Sequence, residues 1–155
     1  VTKESYTITF YCTADNQLYY VAGQVKPEDP KCLKKTTWGA KGIRSVIFNH
    51  QTEDGTQPAK TVMEAKARLD KEKDNPNKKM PDSIYNQRLA QIKAGIIDGQ
   101  KINTLTIIIK ATDNSTYKNL VDALDEMQIC SIGKYVIDKV NDNDLKLLKE
   151  NKVKL

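Results

Sequence analysis

The segment from Thr104 to Lys139 most constrains the fold, because it contains two apolar runs separated by an amphipathic pattern. The first run, Leu105 to Ile109, is rich in β-branched residues; it is long enough for a strand and too short to span a membrane. The second run, Tyr135 to Ile137, is also typical of a strand. Between them, apolar residues at helical spacing predict one buried helix face, formed by Tyr117, Leu120, Val121, Leu124 and Met127. The order strand, helix, strand predicts two parallel strands in one sheet with the helix on a face.

Polar residues and a glycine mark the ends of this predicted helix. Thr112 to Ser115 provide side-chain oxygens suited to capping its start. Gly133 stands just past the pattern, where a left-handed residue would end the helix. The side chains expected to face water are Lys118, Asn119, Asp122, Asp125 and Glu126.

The same segment resembles the C-terminal signature of the ExbD/TolR family. The residues that carry the resemblance are Ile107–Asp113, Tyr117–Asp122, Leu124–Met127 and Ile132–Tyr135. In that family an apolar strand ends near an Asp, a Tyr follows a few residues later, and a helix leads to a second strand. A bare strand-helix-strand pattern would be weaker evidence, because many α/β folds contain one.

The N-terminal part predicts a β-hairpin followed by an irregular connection. Tyr6 to Cys12 and Leu18 to Ala22 are strand patterns joined by turn residues. Gln24 to Trp38 contains two prolines and is predicted to be irregular, with the Trp38 ring packed against the fold. From Gly39 to about Asn49 the apolar spacing again predicts a helix.

Residues 52–99 differ in composition and predict an inserted helical hairpin. Pro58 to Lys73 has helical spacing, and Asp82 can cap a second helix whose apolar stripe runs to Ile96. Its stripe suits either an interaction surface or packing against the domain. After the second strand, Asn141 to Asp144 is a cap or turn cluster, and the leucines that follow predict a short helix or an edge strand.

The resulting fold class is α+β: a single domain over residues 1–155, with a small mixed β-sheet, helices packed on one face and the helical hairpin inserted at 52–99. The chain begins at Val1 and has no apolar window of membrane-span length. In the ExbD/TolR family a membrane helix precedes the soluble domain, so the sequence suits a piece of such a protein, and it suits a plain cytosolic protein equally.

The net charge and the lack of catalytic motifs limit the classes of function that the sequence suggests. The net charge of +5 suits an acidic polymer or nucleic acid, but the lysines alternate with acidic residues. Binding to nucleic acid is therefore the weaker alternative, and salt-dependent binding to random DNA or RNA would support it. His50 is the only histidine and no catalytic motif is present, so we expect no enzyme activity, metal or cofactor. Cys12, Cys32 and Cys130 form no metal-binding or redox pair, and one disulfide among them is possible in an oxidising compartment.

The resemblance implies the periplasmic domain of an ExbD-like, single-pass protein of the bacterial inner membrane. Such a protein works with an ExbB-like membrane partner and a TonB-like protein, and couples the proton gradient to nutrient import across the outer membrane. A TolR-like domain that binds peptidoglycan is the close alternative. Family members work as homodimers, so dimer or partner-strand contacts are expected at Lys134, Tyr135, Val136 and Ile137. Asp113 and Tyr117 are expected to shape the adjacent helix start.

Overall fold

The computed structural model describes residues 4–155, which contain seven β-strands and five α-helices. The strands are β1 (Thr7–Cys12), β2 (Leu18–Ala22), β3 (Leu33–Thr36), β4 (Ile96–Ile97), β5 (Gln100–Lys101), β6 (Thr106–Ala111) and β7 (Lys134–Lys139). The helices are α1 (Ile43–Asn49), α2 (Pro58–Lys73), α3 (Asp82–Lys93), α4 (Tyr117–Ile129) and α5 (Asp142–Glu150). Five strands form one sheet in the order β3-β2-β1-β6-β7, and β4 pairs only with β5. Residues 1–3 of the predicted domain lie outside the described residues.

The central sheet combines an antiparallel hairpin with a parallel crossover, as the sequence predicts. β1 pairs antiparallel with β2 and parallel with β6, and β6 pairs parallel with β7. The hairpin turn passes through Asp15 and Asn16 at φ 59° and 60°, a left-handed conformation that these residue types tolerate. The predicted α+β class with a mixed sheet is therefore confirmed.

The sheet has helices on both faces, which differs from the prediction that helices pack on one face. Phe10 of β1 lies in the core cluster shared with α1 and α4. Its neighbour Tyr11 points to the other face, where it packs with Leu147 and Leu148 of α5. The correction has a simple cause. Val21 and other apolar residues of the second face need cover, and the leucines of α5 provide it.

The segment predicted to be irregular, Gln24 to Trp38, contains strand β3. β3 pairs antiparallel with β2, so the prediction for this part was wrong. Two of the four residues of β3 are lysines, so the sequence lacks the usual strand pattern. The strand forms because it pairs with the edge of β2, although its own strand propensity is low. The expected role of Trp38 is confirmed. Its ring packs against the core, and Nε1 donates to the Asn16 carbonyl oxygen at 2.8 Å.

The inserted segment forms the predicted helical hairpin of α2 and α3, with its own small core. Val62, Ala65, Leu69 and Ile92 are buried there. The predicted bounds of α2 are correct, but the second helix ends at Lys93, and Ile96 lies in β4. The signal for the β4–β5 turn is the pair Asp98-Gly99, both at positive φ (52° and 77°).

The buried face of α4 is rotated from the predicted one. Tyr117 was predicted to be buried and is 79% exposed, whereas Asn119 and Glu126 were predicted to face water and are 2% and 6% exposed. Glu126 can be buried because Arg44 of α1 donates two hydrogen bonds to its carboxylate, both at 3.0 Å. A partner on another helix therefore decided which face of α4 is buried.

The ends of α4 also differ from the prediction. The N-cap is Thr116, one residue after the predicted group, and its side chain accepts a hydrogen bond from the Asn119 amide at 3.2 Å. At the other end, Ser131 takes the left-handed conformation with φ 55°. Gly133 has another role, because an added Cβ would come within 2.7 Å of the Lys93 carbonyl oxygen. The start of β7 thus lies directly against the end of α3.

Candidate interaction surface

The β6–α4–β7 crossover leaves β7 at an open edge of the sheet. β7 pairs with β6 from Lys134 opposite Thr106 to Lys139 opposite Ala111, and it is the last strand in the sheet order. All six residues of β7 are exposed. An open edge presents backbone N–H and C=O groups that can pair with a further strand.

Three consecutive large apolar side chains are exposed on this edge strand. Tyr135, Val136 and Ile137 are 40%, 50% and 53% exposed. Tyr135 pairs with Ile107, whose side chain lies in the core shared with α4, while Val136 pairs with Ile108 on the face that carries α5. Apolar surface therefore extends along both sides of the open edge, which is typical of a surface that becomes buried in a complex.

Charged residues flank the apolar run of β7. Lys134 precedes it, and Asp138 and Lys139 follow it, all exposed. Asp138 was not among the predicted site residues. Its Oδ1 accepts a hydrogen bond from the Lys139 amide at 2.8 Å. The signal in the sequence was its spacing: Lys134, Val136 and Asp138 alternate along the strand and share one face.

Asp113 and Tyr117 lie at the other end of the strands from the start of β7. Both follow the carboxyl end of β6, which is level with Lys139, whereas Lys134 is level with the first residue of β6. Both side chains are exposed, and Thr116 between them caps α4. The structure thus brings Lys134 to Ile137 together on one edge and leaves Asp113 and Tyr117 apart from it. Their assignment as contact residues stays a prediction.

A buried polar network fixes the strand next to β7. Lys110 of β6 donates to Asp144 Oδ2 at 2.6 Å, and the Tyr11 hydroxyl donates to Asp144 Oδ1 at 2.5 Å. Asp144 is 1% exposed and also accepts from the Asn141 amide at 2.9 Å, as part of a capping box at the start of α5. The network joins β1, β6 and α5. It therefore helps to fix the position of β6, the strand with which β7 pairs.

The environment of Tyr11 favours its neutral form. Burial is the largest cause that raises the pKa of Tyr11 well above its ordinary value of 10.0, and the hydrogen bond to the Asp144 carboxylate is the next. Tyr11 therefore remains a hydrogen-bond donor at neutral pH. It serves as a structural donor between two elements.

A separate cleft of about 520 Å³ lies in the inserted segment, between α2, α3 and the β4–β5 turn. Its charged residues already pair with one another. Arg88 donates two hydrogen bonds to the Glu72 carboxylate at 2.5 Å and 3.4 Å, and Arg68 lies 3.4 Å from Asp98 Oδ2. The cleft therefore offers no charged group that lacks a counter-ion among those that line it.

The candidate reactive side chains have structural partners or are buried. His50 Nε2 lies 2.7 Å from the Ser5 carbonyl oxygen. Cys12 and Cys130 are free and buried, and burial raises the pKa of each thiol from 9.0 to about 11. Thiols with such values are poor nucleophiles at neutral pH.

Residues 4–155 contain neither a cluster suited to a metal ion nor a helix suited to a membrane. No group of three or more His, Cys, Asp or Glu residues is placed to hold a metal ion. None of the helices in this range has the length and apolar content needed to cross a membrane.

Comparison of the chain with models of protein families, with curated proteins and with solved structures gave no match. The class of protein is therefore defined by the fold and the site alone. It is a small α+β domain with a mixed sheet that has one open, apolar edge.

Proposed function

We propose that this chain is a protein-interaction domain that pairs β7 with a strand of a partner. The supporting observation is that β7 combines an open backbone edge with three adjacent exposed apolar side chains. Binding of this kind takes its affinity from main-chain hydrogen bonds and its specificity from alternating side chains. Lys134 to Ile137 would supply the binding surface.

We further propose the particular system from the resemblance of residues 104–139 to the ExbD/TolR family. The chain would be the periplasmic domain of an ExbD-like inner-membrane protein in a TonB-type complex. An ExbB-like partner would hold the membrane helix of that protein, and the domain would dimerise and bind a TonB-like protein. In this way the complex would couple the proton gradient to the import of nutrients across the outer membrane.

Other exposed apolar residues of the described chain support binding less well than β7 does. Ile84 and Ile129 are each 43% exposed, but they lie singly on helices. Single exposed apolar residues are common on protein surfaces and need no partner. A helix surface also has no unpaired backbone groups to offer, because its hydrogen bonds are internal.

The test is the solution mass by light scattering, with and without a peptide from the periplasmic linker of a TonB-like protein. The wild-type chain of 17.5 kDa is expected to form a dimer and to bind the peptide, which competes with the second copy because the β7 edge pairs with one further strand at a time. Ile137→Lys places a charge on the exposed edge and should abolish both interactions, because burying an unpaired ammonium is costly. Ile84→Lys is the matched control, since Ile84 is similarly exposed in the insertion, and it should leave both interactions unchanged.

Other outcomes would favour the TolR-like alternative or contradict the proposal. Binding to peptidoglycan without binding to the peptide would favour the TolR-like alternative, which the net charge of +5 suits. A monomer that ignores both ligands, or an Ile137→Lys variant that binds like the wild type, would contradict the proposal.

A further inference from the structure

We infer that β7 pairs with the β7 strand of a second copy, antiparallel, about a twofold axis that lies midway between the two strands at the level of Val136. This inference rests on the proposed function, because it names the partner of the same edge. It adds a defined register, which follows from the symmetry of a dimer and from the order of side chains along β7. The result would be one continuous sheet across both copies.

Symmetry limits the registers that two identical antiparallel strands can adopt. Successive side chains of a strand point to opposite faces of the sheet, and residues directly opposite one another share a face. A twofold axis perpendicular to the sheet keeps every residue on its own face in both copies. A residue can then oppose only residues that lie an even number of positions away from it. The axis must therefore lie level with a residue, midway between that residue and its own copy; an axis through a residue has this meaning below.

Charge selects one of the remaining registers. An axis through Lys134 or Asp138 would set each of these charged side chains opposite its own copy. An axis through Tyr135 or Ile137 would set Val136 opposite a charged residue. Like charges directly opposite one another are destabilising, and an ion facing an apolar residue loses hydration without gaining a counter-ion.

The axis through Val136 pairs every residue of the exposed run favourably. Lys134 of each copy lies opposite Asp138 of the other, Tyr135 lies opposite Ile137, and Val136 lies opposite itself. Lys139 falls opposite Gly133, which has no side chain to oppose it.

Two further features agree with this register. The Lys139 amide donates to Asp138 Oδ1, which leaves Oδ2 of the same carboxylate for the Lys134 ammonium of the second copy. A parallel pair of β7 strands would instead need a twofold axis along the strands, which would turn the side chains at each level to opposite faces and prevent regular pairing in one sheet. The symmetry of a dimer therefore also favours the antiparallel pair.

Cysteine cross-linking tests the register directly. The full chain carries Cys32→Ser as background, because Cys32 is the partly exposed cysteine whereas the other two are buried. Directly opposite residues have Cα atoms about 4.5–5.5 Å apart, which a disulfide can bridge. Val136→Cys should therefore give a covalent dimer under mild oxidation.

The matched controls are Tyr135→Cys and Ile137→Cys, each on the same strand and similarly exposed. Each of these residues would lie about 8 Å from its own copy, beyond the reach of a disulfide. Neither variant should cross-link alone, but an equal mixture of the two should, because Tyr135 opposes Ile137 across the axis.

Exchange of the charged residues tests the proposed ion pairs in a chain without introduced cysteines. Lys134→Asp would set two carboxylates opposite one another on both sides of the axis and should raise the dimer Kd about tenfold. Combining it with Asp138→Lys restores opposite charges and should return the Kd to near the wild-type value. Lys139→Asp makes the same change in net charge opposite Gly133, and should change the Kd less than about twofold.

The outcomes separate the register from the proposed function. Cross-linking of Tyr135→Cys or Ile137→Cys alone, or failure of the charge exchange to restore binding, would overturn the register in a chain that still associates through β7. A strict monomer that binds the TonB-like peptide would overturn the second-copy inference and leave the proposed function standing. A folded monomer that binds neither partner would overturn both.

Discussion

The two open edges of the central sheet occupy equivalent positions and differ in chemistry. β3 has four residues, and its only buried side chain, Leu33, packs in the cluster that contains leucines of α5. Its exposed residues include Lys34 and Lys35. β7 has six residues, all exposed, and its central three are large and apolar.

This difference indicates that the sheet is protected at one edge and receptive at the other. Short strands and exposed lysines are the usual means by which a protein prevents edge-to-edge association. β3 has both features, whereas the apolar run of β7 has neither. The asymmetry allows association through β7 to stop at a closed pair and not continue as an open fibre.

The largest effect on the free energy of unfolding is expected from a change between the two edges, at the buried network that joins β1 and β6 to α5. Asp144→Asn leaves the buried Lys110 ammonium without its carboxylate, since Lys110 is only 7% exposed. Breaking a buried ion pair on one side costs about 3–5 kcal/mol in the free energy of unfolding. Urea denaturation measures this loss.

Asp125→Asn is the control for that measurement, because Asp125 is an exposed carboxylate of α4. Its expected change is within about 0.5 kcal/mol. If both substitutions changed the free energy of unfolding by an equally small amount, the Lys110–Asp144 pair would not stabilise the fold.

A smaller effect is expected at alkaline pH, and it should arise in the hydrophobic core and not at the sheet edges. Folding raises the pKa of Cys12 and Cys130 from 9.0 to about 11. Between these values the unfolded chain has lost protons that the folded chain retains, so stability that is full below pH 9 falls as pH rises. The loss is about 1.4 kcal/mol per pH unit for each thiol.

The measurement is the free energy of unfolding in urea between pH 8 and pH 10. Cys12→Ala should reduce the slope above pH 9 by about half, because only the Cys130 thiol of this pair would remain. An unchanged slope in that variant would contradict the assignment to Cys12.

The smallest expected change in stability comes from a substitution that makes the two edges alike. Lys34→Val combined with Lys35→Ile removes both lysines from β3, and the free energy of unfolding should change by less than about 1 kcal/mol. The chain would then have two receptive edges, so its mass by light scattering should rise beyond a dimer with increasing concentration. Lys78→Val with Lys79→Ile makes the same replacements in the exposed turn between α2 and α3 and should leave the mass unchanged. A double β3 variant that stays at the wild-type mass would show that the lysines do not protect this edge.

Much of the fold follows from local patterns in the sequence. Strands β1, β2, β6 and β7, the start and end of α2, and the parallel crossover agree with the predictions made from periodicity and turn residues. These elements have apolar runs or helical spacing strong enough to specify them locally. The short run Tyr135 to Ile137 predicted strand β7 in this way, whereas the prediction that its residues form contacts came from the resemblance to the ExbD/TolR family.

The features that the sequence did not predict depend on contacts between distant segments. β3 has little strand propensity of its own and exists because β2 offers an edge to pair with. The rotation of α4 depends on Arg44, which lies on another helix and supplies the partner for Glu126. Asp138 was not predicted as a site residue, because a single charged residue carries no pattern. Only the position of β7 at the sheet edge places Asp138 on one exposed strand face with Lys134.

The sequence alone determined which segments become strands and helices and which of them carry large apolar side chains, because both properties follow from neighbours along the chain. The tertiary structure decided which strands lie at the edges, which helix faces are buried and which charges are paired. Each of these depends on groups far apart in sequence that compete for the same surface. Tyr135, Val136 and Ile137 illustrate the division: their run predicts a strand, but only the sheet order places that strand where no other element covers it.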